Sequence, residues 1–216
     1  SDSFYFSNCR DLSLLKKILT NFGNSDILVK NGYATLCDKV FIGNFNFKSK
    51  YIIPVIKSSK GLKQQIIYPY DKNAKLIPES ELQQDEPLYS YLLSQKDKLV
   101  NRSNEKDANE YWYAFGRSQA LGDTYKDKVA INTLIRNADD FKFVYAPAGT
   151  GVYGGLYIIS NSIPINEIKE ALVSDEFVKY VSLLGKYKSG GYYTFSSKDV
   201  KSFLDYKFAY NGGLFS

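Results

Sequence analysis

The sequence predicts an α+β fold. Strand-like runs crowd its first third, helical runs are interspersed after it, and no βαβ rhythm connects them. Residues 11–22 form a first helix, because Leu12, Leu15, Ile18, Leu19 and Phe22 recur at helical spacing, with Asp11 as cap and Gly23 as stop. Residues 27–29 and 33–42 read as a hairpin, since Asn31-Gly32 supplies the positive φ of a two-residue turn. Residues 51–57 form another strand, whose Pro54 predicts an edge or a bulge. Residues 65–70 form a further strand, ending at the Asp71-Lys72-Asn73 turn. Pro78 and Pro87 each open a helix, the second running to Arg102, and a polar loop covers 101–109. Residues 111–115 and 129–135 are extended, and 141–145 with 157–159 flank a glycine-rich turn as a hairpin. Residues 165–184 are helical in two pieces, the second starting near Ser174 with Asp175 and Glu176 in its first turn. Residues 190–195 form a short aromatic strand, and Ser197 caps a last helix through Phe203.

Composition bounds the function. A chain of 216 residues buries enough surface to hold a core without disulfides. No apolar run reaches the roughly 20 residues that span a bilayer, so no membrane partner is expected. Ser1-Asp2-Ser3 lacks the regions of a signal peptide, and Cys9 and Cys37 form no CxxC pair, which points to a reducing cytoplasm. The absence of histidine removes Ser-His-Asp, Cys-His and His-ligated zinc chemistry together. A methionine-free chain starting at Ser1 reads as a piece of a longer protein. The net charge of +5 suits an anionic partner without being diagnostic of one. Aromatics reach 16%, with 19 Tyr and 14 Phe. Tyrosine suits wet interfaces, and an AT-rich genome accounts for the same excess.

Three stretches are candidates for chemistry. Gly149-Thr150-Gly151-Val152-Tyr153-Gly154 matches GxGxxG, but Leu156-Tyr157-Ile158-Ile159 after it reads as a strand. A dinucleotide site needs a helix there, so this is a loop that can approach a ligand backbone closely. No sequence signal pairs two carboxylates in an apolar setting; Glu79/Glu81, Asp85/Glu86 and Asp139/Asp140 read as turns and helix starts. Residues 111–121 combine Tyr111, Trp112, Tyr113 and Phe115 with Gly116, Arg117, Ser118 and Gln119. An arginine beside rigid aromatics is placed to meet a phosphate or a base edge. Lys186 and Lys188 precede a Gly-Gly turn and Tyr192-Tyr193-Thr194-Phe195; the stretch reads either as a phosphate- and base-binding element or as a strand with core aromatics.

Several segments together resemble a known family. Residues 31–42 (NGYATLCDKVFI), Pro54-Val55-Ile56-Lys57-Ser58, Tyr68-Pro69-Tyr70-Asp71, 87–102, the WYAFGRSQAL run at 112–121 and Ser189-Gly190-Gly191-Tyr192-Tyr193-Thr194-Phe195 follow one another in order. They resemble the TaqI-like C-terminal specificity domain of type II restriction–modification N6-adenine DNA methyltransferases. The resemblance implies a mixed, strongly bent β-sheet region with peripheral helices. It makes residues 31–216 a DNA target-recognition domain and 1–30 the linker and first helix after a catalytic domain absent from this chain. Catalysis and S-adenosylmethionine binding would lie in that N-terminal methyltransferase domain, since none of the six prolines here forms the Pro-Pro pair of the catalytic motif. No cofactor site is expected here, and double-stranded DNA is the expected partner. The implied DNA-binding residues are Arg117, Ser118, Gln119, Lys39, Lys57, Lys60, Lys63, Arg102, Lys188 and Tyr192. Because the Gly-Arg-Ser-Gln element is shared across members that read different sites, it is expected to grip the backbone. Base readout would fall on loops 45–50, 58–65 and 123–127. A recognition domain of a type I restriction specificity subunit and a tyrosine-rich carbohydrate- or protein-binding module remain alternatives.

Overall fold

Apolar side chains divide between two cores, and the secondary structure sorts around them. The computed structural model describes residues 9–102 and 111–209. In chain order, α1 (Cys9–Leu19) and β1 (Leu28–Asn31) are followed by α2 (Asp38–Phe41), β2 (Ile42–Gly43), β3 (Ile52–Lys57) and β4 (Leu62–Ile67). Three helices then pack on this region: α3 (Glu79–Leu82), α4 (Glu86–Ser94) and α5 (Lys96–Val100). The second half runs β5 (Lys128–Ile131), β6 (Leu134–Ile135), β7 (Phe143–Ala146), β8 (Gly151–Tyr153), β9 (Leu156–Ile159), α6 (Ile165–Leu172) and α7 (Asp175–Leu183). It closes with β10 (Tyr187–Lys188), β11 (Tyr192–Thr194) and α8 (Ser197–Phe208). The class is α+β.

The strands form three sheets, ordered β2-β4-β3-β8, β1-β9-β5-β7 and β10-β11-β6. The first sheet and helices α2–α5 enclose one core, built on Phe41, Val55, Ile66, Tyr68, Leu88 and Trp112. The other sheets with α1 and α6–α8 enclose the second, built on Ile27, Ile131, Ile158, Phe177, Tyr180 and Phe203. A small cluster of Ile56, Ala130, Val152 and Tyr157 fills the space between the two main sheets. Polar groups complete the joint. Tyr68 donates to the Leu121 carbonyl at 3.1 Å, Tyr33 bonds Thr124, and Tyr157 donates to Asp123 at 2.6 Å. The Lys30 ammonium sits 2.9 Å from the same carboxylate. Buried Lys128 donates to the carbonyls of Thr124 (3.1 Å) and Lys126 (2.9 Å).

Several local expectations change in three dimensions. Asn31-Gly32 does not turn a hairpin: β1 pairs with β9, and the chain then crosses to β8. Gly32 makes that crossing because a Cβ there would meet the Val152 backbone, not because its φ is positive. Residues 33–42 are therefore not one strand, and Asp38–Phe41 is a single helical turn. The expected 141–159 hairpin is also absent. β7 and β9 flank β5 on opposite sides, while β8 between them leaves to run parallel to β3. Turns at Gly149 (φ 87°) and Gly154 (φ 66°) let it leave and return. Pro54 lies in an internal strand, opposite Gln65 of β4 and just before Val55, where pairing with β8 begins. Residues 111–115 form turns rather than a strand, and α8 is capped by Ser196 and runs on to Phe208. The first helix spans Cys9–Leu19, with Asp11 inside it, and packs against α7 and α8. Its Ile18 lies in the second core. The 101–109 loop lies mostly outside the described residues.

Candidate nucleic-acid interface

The WYAFGRSQ segment is anchored by its aromatics. Trp112 is buried, donates to Glu79 at 3.2 Å and carries Lys96 over its ring at 4.9 Å. Tyr113 donates to the Ile77 carbonyl at 2.5 Å, and the Phe115 amide donates to the Tyr70 hydroxyl at 2.7 Å. The next residues hold a loop at 34–38. The Gly116 amide donates to the Thr35 carbonyl (3.0 Å) and the Arg117 amide to that of Ala34 (3.1 Å). Gln119 reaches the Gly32 carbonyl through its side-chain amide at 2.6 Å. Arg102 grips the same loop, donating to the carbonyls of Thr35 (3.2 Å) and Ala114 while stacking 5.6 Å from the Phe41 ring. Burial lowers its guanidinium from the ordinary value. Arg102 and Gln119 are thus engaged within the protein. Arg117 and Ser118 are exposed, and among the described residues the Arg117 guanidinium has no ion-pair or hydrogen-bond partner.

A chain of contacts leads from this loop to a second group of cations. Thr35 donates to Asp38 at 2.5 Å, and the Asp38 charge acts on the Tyr153 phenol. Burial, then Asp38, raise that phenol's pKa, and its hydrogen bond to the Gln64 side-chain oxygen lowers it. Lys57 lies 5.9 Å over the Tyr153 ring. Lys60 and Lys63 are exposed on the β3–β4 hairpin, and Lys39 is exposed in α2. At the hairpin tip, a cleft of about 430 Å³ is lined by Ser59, Asn132, Leu134, Asp140, Lys142 and Tyr192. Asn132 fixes its floor, donating to the carbonyls of Leu134 and Asp140 (both 2.9 Å) and accepting from the Lys142 amide at 2.8 Å. Arg136 stacks on Tyr192 at 4.7 Å and holds Asp140 through two bonds, at 3.0 and 3.2 Å. Those hydrogen bonds keep the Asp140 carboxyl at about 2. Lys188 is exposed and pairs in register with Tyr192 across β10 and β11.

The cleft thus joins Tyr192 and Lys142 to Ser59 of the β3–β4 hairpin, which also carries Lys57, Lys60 and Lys63; Lys188 pairs with Tyr192 in register, and Lys39 and Arg117 lie near the 34–38 loop. Of the loops expected to read bases, 123–127 contributes Asp123 and Thr124 to the joint between the cores. Loop 45–50 is pinned by Phe45 and Phe47 on Tyr91, each with ring centroids 5.6 Å away. Arg136, Asn132 and Lys142 are additions that only the β6–β11 and β5–β7 pairings reveal. One signal was in the sequence. Residues 39–70 contain six lysines and no carboxylate, and residues 141–166, which supply Lys142, contain no carboxylate either. Lysine-rich stretches set up a positive field that can hold phosphates, and a tyrosine face with an arginine can stack on a base; the carboxylates nearest these cations are Asp38 and Asp140.

No protein-family model matches this chain, and no characterised protein matches it in sequence. Among the described residues no helix is long and apolar enough to cross a membrane.

Proposed function

We propose that this chain binds duplex DNA as the target-recognition domain of an N6-adenine DNA methyltransferase, working in the cytoplasm. Methyl transfer and S-adenosylmethionine would belong to a partner methyltransferase domain. The reading rests on one observation. Lys39, Lys57, Lys60, Lys63, Arg117, Lys142 and Lys188 have no carboxylate partner among the described residues, and Lys142 lines the cleft at the tip of the β3–β4 hairpin that carries Lys57, Lys60 and Lys63. Some lysines elsewhere are paired, as Lys186 is with Asp199 and Lys207 with Glu176. Cations left unpaired on a loop-and-hairpin surface suit a polyanion whose phosphates set register while neighbouring side chains meet base edges.

The test is duplex binding as a function of salt. Fluorescence anisotropy with a random-sequence duplex should give an affinity that falls steeply with ionic strength. Replacing Lys57, Lys60 and Lys63 together by alanine should make the log–log slope shallower by about 3 × 0.9 if each meets a phosphate. Binding that ignores salt, or a slope the triple variant leaves unchanged, rejects the reading in favour of a neutral ligand.

A further inference from the structure

Leu36 combines three properties that rarely coincide. Its φ is 56°, in the left-handed region that costs a branched, non-glycine residue about 1–2 kcal/mol. It is an apolar side chain left 48% exposed. Its position is also fixed from several sides. The Ala34 carbonyl is held by the Arg117 amide and the Thr35 carbonyl by the Gly116 amide and Arg102, and the Thr35 hydroxyl accepts from the Cys37 amide at 3.0 Å. The side chain lies across Gly116, where any Cβ would collide with Leu36 Cγ and Cδ1. Gly116 thus makes room for Leu36, and the following residue is the exposed Arg117, whose guanidinium has no partner among the described residues. A strained conformation persists only where its surroundings over-determine it, and such residues gather at functional sites. Burial does not account for this one, because half of the side chain faces solvent.

We propose that Leu36 is an apolar wedge that enters a DNA base step while Arg117 and Lys39 hold the flanking phosphates. Proteins that deform duplexes use leucine in this way, offsetting unstacking with added backbone contact. A rigid, clamped leucine suits the role better than a mobile one, since insertion then costs little further side-chain ordering. The proposal rests on the DNA-binding reading, and the experiment separates the two. The full chain is first used to enrich sites from a random duplex pool. The enriched duplex is then labelled with 2-aminopurine at each position in turn and titrated with wild type, Leu36→Gly and Leu36→Asn. Both variants tolerate the left-handed backbone, so their Tm should be unchanged or raised. Wild type should brighten 2-aminopurine at one step. The variants should lose that signal and bind about tenfold more weakly, the size of one lost base contact, with an unchanged salt slope. Salt-dependent wild-type binding with no brightening at any position, or variants that keep both signal and affinity, overturns the wedge and leaves the DNA reading standing. A wild type that binds no duplex overturns the DNA reading and the wedge with it.

Discussion

Two arginines in one neighbourhood do opposite work, and only their surroundings distinguish them. Arg102 lies half-buried with its guanidinium on two carbonyls and against Phe41. Arg117 is exposed, and only its backbone is engaged among the described residues. Arg102→Ala should therefore destabilise the fold by about 1–3 kcal/mol, because it removes charge-assisted bonds to the Thr35 and Ala114 carbonyls and the packing on Phe41. Arg117→Ala should change stability by no more than about 0.5 kcal/mol, as is usual at the surface. Urea unfolding of the two variants checks this contrast. In binding, Arg117→Ala should weaken all duplexes alike, as a phosphate contact does. A loss confined to one base-pair position would make it a reader instead. On sequence, Arg102 and Arg117 fall in one expected DNA-binding set, because nothing in residue type tells a guanidinium facing carbonyls from one facing solvent.

At the scale of elements, signals carried within a few residues were legible and those set by distant partners were not. The α7 start is written in Ser174, whose hydroxyl accepts from the Phe177 amide at 3.1 Å, and α4 starts at Asp85 just before Pro87. The α8 start is a capping box between Ser196 and Asp199. Several strands were legible too, but 33–42 and 111–115 were not strands, and strand partners were not legible at all. Asn31-Gly32 has the chemistry of a tight hairpin turn, yet β9 and β8 arrive from more than a hundred residues later and take the two sides of that turn for separate sheets. The lysine run of the β3–β4 hairpin was visible as charge, whereas the Arg136–Tyr192 stack depends on β6 meeting β11. Gly32→Ala tests the crossing. Its new methyl meets the Val152 carbonyl and the Tyr153 Cα, so it should cost about 1–3 kcal/mol in chemical denaturation. A true hairpin glycine would instead show its penalty through positive φ, and Gly32→Asn would then be tolerated better than Ala. The crossing predicts that Asn is worse.

The joint between the two cores makes the whole molecule's stability depend on pH in a specific way. With no histidine in the chain, no side chain with an ordinary pKa titrates between pH 5 and 8, and stability should be flat there. Burial would raise the Asp123 carboxyl, but hydrogen bonds from Tyr157, Lys126 and Lys30 outweigh it and hold the group at about 2. Its contribution is therefore present above the ordinary carboxylate pKa and lost as pH falls toward 2. Lys128 acts at the other end. Burial pushes its ammonium down to about 8, against the pull of Asp123 and Asp127. Between pH 8 and the ordinary lysine value the unfolded chain binds the extra proton, so stability rises with pH across that window. Above pH 10 the trend reverses. Burial raises the phenols of Tyr70 and Tyr113 to about 12 and that of Tyr157 further still, so the folded chain now keeps protons that the unfolded chain loses. Urea midpoints should therefore climb from pH 8 to a maximum near pH 10, which is unusual for a protein held partly by carboxylates. Lys128→Met removes the titrating group while keeping a linear side chain, and it should abolish the climb whatever it does to stability at pH 7. A wild type with no rise between pH 8 and 10, or a variant that retains the rise, would show that the ammonium reaches water and that the two cores meet around a wetter joint than Thr124, Lys126 and Lys128 define.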